Sequence, residues 1–130
     1  VGDSFYVTMG GIMSAKNNDT ITIRNRTATA LLADSGPLTL PAVTNQVWTI
    51  TITFTIRAIG AAGVASIVTT GQMHVLKNAS GTQEGYGWNT INNTTFDTTI
   101  SNTLNITAEW SSTSALNSIY SDSFVLNKIY

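Results

Sequence analysis

The sequence predicts an all-β protein, a single antiparallel β-sandwich of roughly eight to ten strands. Three observations predict it. One long segment alternates without a fault between apolar and threonine positions. Short runs rich in Val, Ile, Thr and aromatics recur between Gly, Asn and Pro clusters at about 8–12 residue spacing. No segment carries a convincing 3.6-residue apolar period.

The clearest element is Val47 to Arg57. Trp48, Ile50, Ile52, Phe54 and Ile56 fall on one face, and Thr49, Thr51, Thr53, Thr55 and Arg57 on the other. Successive side chains of a strand point to opposite faces, so a period of two is its signature. Isoleucine and threonine are β-branched and favour this conformation. At ~3.3 Å per residue the run spans roughly 36 Å, suited to the long dimension of a sandwich.

The remaining elements follow in order. Ser4 to Met9 reads as a strand ended by Gly10 and Gly11. Thr20 to Arg24 alternates after a turn at Asn17, Asn18 and Asp19. Thr29 to Leu32 stops at Asp34, Ser35, Gly36 and Pro37, a turn signal, and Leu38 to Leu40 is a short strand running into Pro41. Ala58 to Gly63 is a turn, and Ala65 to Val75 is one or two strands broken near Gly71. Asn78 to Trp88, with Gly81, Gly85 and Gly87, reads as a loop. Phe96 to Ile100 is a candidate short strand. Thr103 to Trp110 alternates again, with Leu104, Ile106, Ala108 and Trp110 on one face, and Ser111 to Asn117 is a polar connection. Ser123 to Ile129 is a strand with two apolar faces, which predicts a central or interfacial position.

The 130 residues suit one domain spanning 1–130, long enough to bury a core without staples. There is no internal repeat, and no apolar stretch approaches the ~18 residues of a membrane-spanning helix. The chain begins at Val1 and Gly2, and it reads as the C-terminal part of a longer or processed chain. It has no cysteine, so disulfides and thiolate metal sites are excluded. Only 10% of residues are charged, against ~25% in typical soluble domains. With a net charge of −1, neither nucleic acid nor an anionic membrane is an expected partner. The polar surface is Thr, Ser and Asn. It suits burial against copies of the same chain, where charges are depleted, or an extracellular setting.

No constellation of catalytic residues stands out, and neither an enzymatic activity nor a cofactor is expected. His74 is the one histidine. It lies in a strand-like run without a nucleophile elbow, and a half-buried strand position is the plainer reading. The seven carboxylates, Asp3, Asp19, Asp34, Glu84, Asp97, Glu109 and Asp122, are scattered. Glycoside hydrolysis needs two of them about 5–9.5 Å apart in a cleft, and no spacing suggests it. Turn capping and surface duty suit them, with a Ca²⁺ site between chains as another use of the same donors. Gly60 to Gly63 lacks the Lys-Ser/Thr of a phosphate loop. Glycosylation sequons begin at Asn18, Asn25, Asn78, Asn92, Asn93 and Asn105, several of which chance supplies in so Asn- and Thr-rich a chain. The surface candidates are Tyr86 and Trp88, aromatics between glycines, suited either to recognition such as stacking on sugar rings or to packing on the core edge or a neighbouring subunit.

Residues 95–110 include Asn102-Thr-Leu-Asn-Ile-Thr-Ala-Glu-Trp110, and residues 117–130 run from Asn117-Ser-Ile to a final apolar strand. This resembles the C-terminal end of viral fibre or spike head domains. The strand from Trp48 into the Gly60 turn also fits, so the resemblance covers about two thirds of the chain. It implies a trimeric jelly roll similar to the tumour-necrosis-factor and complement globular-head fold. It also implies a place on the virion surface and non-enzymatic attachment to a host surface protein or glycan. It carries no binding residue onto a numbered position. Two other functional classes stay open: a purely structural capsid or decoration protein, and an extracellular carbohydrate-binding module.

Overall fold

The computed structural model describes residues 1–78 and 81–130. It is all-β, an antiparallel sandwich consistent with a jelly roll, as expected from the alternating patterns. Eight strands lie among the described residues: β1 Ser4–Ala15, β2 Thr20–Arg26, β3 Leu31–Thr39, β4 Val43–Ala58, β5 Ser66–Leu76, β6 Gln83–Asn93, β7 Asn105–Trp110 and β8 Ser118–Lys128. They form a five-stranded sheet, β6-β5-β4-β1-β8, and a three-stranded sheet, β3-β2-β7.

The long alternating strand is the centre of the larger sheet. It runs further than its cleanest pattern, as β4, with β1 on one side and β5 on the other. Trp48, Ile50, Ile52 and Phe54 are buried, whereas the threonine face is exposed or half-buried. The core is completed from the smaller sheet by Ile21, Ile23, Leu32 and Leu38. Two apolar faces come together here, which is what stabilises a sandwich.

Four glycine or turn signals punctuate less than the sequence predicts. Gly10 and Gly11 do not end β1, because the strand continues to Ala15. A bulge sets Gly10 opposite Ser123 but Gly11 opposite Ser121, and the Tyr120 carbonyl fills the space above Gly11 that a side chain would need. The Trp48 indole N–H donates to that same carbonyl at 3.1 Å. These glycines admit a close backbone approach. Asp34 to Pro37 is likewise a bulge inside β3, where Gly36 takes a φ of +66°. The Ser35 hydroxyl there accepts the Ile23 N–H at 2.9 Å, and Leu38 and Thr39 belong to the same strand. Strand β5 is unbroken at Gly71.

Asn78 to Trp88 is mostly strand β6, not loop; residues 79 and 80 of that expected loop lie outside the described residues. The Lys77 N–H donates to the Thr82 carbonyl across the hairpin end. Phe96 to Ile100 forms bends instead of a strand. Asp97 accepts the N–H and hydroxyl of Thr99, which turns the chain while Phe96 reaches the core.

Candidate assembly and attachment surfaces

The final strand is an edge, not a centre. It pairs only with β1, through Val125 opposite Thr8 and Leu126 opposite Val7, and its other flank has no strand partner among the described residues. Phe124 and Leu126 lie on the core side of the sheet, opposite Met9 and Val7, yet they are 48% and 45% exposed. The smaller sheet ends at β7, and Leu126 borders the open cavity beside it. On the outer side Tyr120 stands opposite Ile12, and Ile12 opposite Val47, making an exposed apolar trio. An unpaired strand edge with apolar residues on both faces invites pairing or packing by another chain.

The sandwich is open along the same side. A cavity of about 260 Å³ is lined by Phe5, Phe54, Ile56, Phe96, Leu104 and Leu126. A smaller one of about 150 Å³ runs between Ile106 and Ala108 of β7 and Ile119 of β8 and reaches Trp48 and Ile50. The core is thus accessible between β7 and β8.

Both chain termini meet at one end of the sandwich, where the Ser4 N–H donates to the Tyr130 carbonyl at 3.0 Å. The strand directions put loops 16–19, 40–42 and 111–117 at the other end. A polar network ties two of these loops together. Asp19 accepts from the Ser112 hydroxyl at 2.6 Å and from the Asn117 amide at 2.8 Å. Asn117 also accepts the Lys16 N–H at 2.8 Å. The hydrogen bonds from Ser112 and Asn117, and the charge of Lys16, hold the Asp19 carboxyl below its usual range.

The aromatic pair Tyr86 and Trp88 is not presented on a loop. Both project from β6 toward the core. Trp88 is 8% exposed, and its indole lies on Gly71 of β5. The Tyr86 hydroxyl donates to the Thr39 carbonyl of β3. Burial first, and then the charge of Glu84, pushes the Tyr86 phenol up to about 12.

His74 lies on the exposed outer face of β5, opposite Thr49, instead of being half-buried. The carboxylates are spread between structural partners. Asp34 pairs with Arg24 at 2.9 Å, Glu84 with Lys77 at 2.8 Å and Asp3 with Lys128 at 3.2 Å. Among the described residues no group of three or more His, Cys, Asp or Glu is arranged to hold a metal ion. Of the sequon asparagines, Asn25 is fully buried, so no glycan fits there in the folded chain.

Comparison with protein-family models, with curated proteins and with solved structures gives no match.

Proposed function

We propose that this domain is the head of a trimeric viral fibre, displayed on the virion and attaching it to a molecule on the host surface. The observation that carries the reading is strand β8, an unpaired edge, apolar on both faces, beside the opening between β7 and β8. A protomer with this side bare gains from burying it against copies of itself, and the scarcity of charge suits that burial. The likeness of residues 95–110 and 117–130 to viral fibre and spike heads supplies the setting. The paired termini give the domain a direction. A shaft entering beside Val1 leaves the loops at the far end free to meet a receptor.

In this reading the domain binds and does not catalyse. Attachment is tested with the full 130-residue chain on a panel of candidate host cells. Saturable binding supports the head. A trimer that binds none of them supports instead the structural capsid or decoration protein, which the same apolar edge also serves. A monomer that binds one soluble sugar supports the extracellular module.

A further inference from the structure

At the end opposite the termini the loops enclose a recess of about 500 Å³, within the range of small-ligand sites. We propose that this recess binds a neutral or singly acidic saccharide unit of the receptor. The inference rests on the reading of the domain as an attachment head and names the chemistry that head recognises.

The walls are held before any ligand arrives. The Asn78 side-chain oxygen accepts the Thr44 N–H at 3.2 Å, and its amide donates to the Ala42 carbonyl at 3.4 Å. Across the recess Asn117 fixes Lys16 by its backbone and reaches Asp19 behind it. The Ser14 hydroxyl accepts the Asn45 N–H at 2.9 Å. Asn45 adopts a φ of +50° at the bulge in β4. These groups are consumed in shaping the site, which lowers the ordering cost of binding.

Among the described residues, other groups line the recess and make no side-chain hydrogen bond: the Asn17 amide, the hydroxyls of Thr44 and Ser118, and the Lys16 ammonium, whose charge also acts on Asp19. Between them lie the aliphatic surfaces of Ala15, Ala42, Val43 and Ala115 and the largely exposed Leu116. A sugar ring offers this same mixture, hydroxyls around its rim and C–H faces between. Amide and hydroxyl groups both donate and accept, so they meet sugar hydroxyls in either sense. The recess has no aromatic lining, so it would hold a sugar through polar groups and aliphatic contacts and not by ring stacking. Its one cation tolerates a single carboxylate, whereas a densely sulfated chain calls for a cationic cluster.

The test uses the full chain on an array of neutral, carboxylated and sulfated oligosaccharides, alongside cell binding. The variants are Asn17→Ala, Lys16→Gln and Ala42→Trp, the last placing a bulky ring in the recess from an exposed position. Thr51→Ala on the far sheet face is the control. Circular dichroism and sedimentation establish that each keeps its fold and assembly. Wild type should bind neutral or singly acidic sugars. Each recess variant should weaken that binding by roughly tenfold or more, about the loss of one or two hydrogen bonds. Sugar or cell binding that survives all three variants, or cell binding unchanged by glycosidase treatment of the cells, overturns the inference and leaves the attachment reading standing. Binding to neither sugars nor cells overturns both.

Discussion

Trp88 and Gly71 face each other across the β5–β6 pair, and the indole fills the space a side chain at Gly71 would occupy. This relationship closes the core at the β6 edge. Gly71→Ala should therefore displace the ring and cost about 1–3 kcal/mol, as overpacking of a filled core does. Urea unfolding monitored by tryptophan fluorescence measures it. Gly36→Ala is a comparison of another kind, because open space surrounds that position and only its positive φ opposes a side chain.

The two faces of β4 should respond differently to truncation. Ile52 is fully buried, and Ile52→Ala should cost about 2–5 kcal/mol. Trp48→Ala should cost about 3–5 kcal/mol and also release the indole hydrogen bond to Tyr120 that ties β8 to the core. Thr51→Ala should cost under ~1 kcal/mol, since that face is incompletely covered. Equal urea midpoints for Ile52→Ala and Thr51→Ala would contradict this division.

This contrast shows what was legible in the sequence. The period of two in β4 and β7 is local, so the fold class and the buried face of β4 could be read from residues alone. The glycines misled, because their reason lies in distant strands. Gly11 answers to the Tyr120 carbonyl and Gly71 to the Trp88 ring. Neither partner is visible in the local pattern, so Gly71 reads as a break and the glycines around Tyr86 read as a loop. The residues of β8 show two apolar faces, but its place at an edge depends on which strands it pairs with, and it pairs only with β1. The recess was not legible either. Asn17, Asn18 and Asp19 read as a turn, while their neighbours Asn78 and Asn117 come from distant segments.

Acid should weaken the fold through three carboxylates. Asp19 is held below its ordinary value of 3.8 by Ser112 and Asn117, Asp34 chiefly by the Gly36 N–H with Arg24 adding, and Asp97 by the hydroxyl and N–H of Thr99. Each is more acidic folded than unfolded. Their stabilisation is thus present above about pH 4 and is lost as the pH falls through the depressed folded values. A urea midpoint followed downward from neutral pH should fall in that window, and Asp34→Asn should make the fall shallower.

The opposite sign holds for Tyr86. Its phenol is raised from 10.0 to about 12, so the neutral form is favoured in the folded chain. That contribution is fully present below pH 10 and fades as the pH rises toward about 12. Alkaline ultraviolet titration should show a late phenol that Tyr86→Phe removes.

The apolar edge should matter for assembly more than for the protomer. Phe124→Lys and Leu126→Lys alter side chains already about half exposed, so each should cost a lone protomer no more than about 1 kcal/mol. Both should nonetheless dissociate the proposed trimer, because a lysine buried at an apolar contact is left unpaired. Chemical denaturation at low protein concentration, read beside the mass in solution, separates the two effects.

The most direct test is the mass of the 130-residue chain by sedimentation equilibrium at micromolar concentration. A trimer gives a particle three times the 13.8 kDa of one chain, which Leu126→Lys should reduce to a single chain. A stable monomer with β8 bare would contradict it.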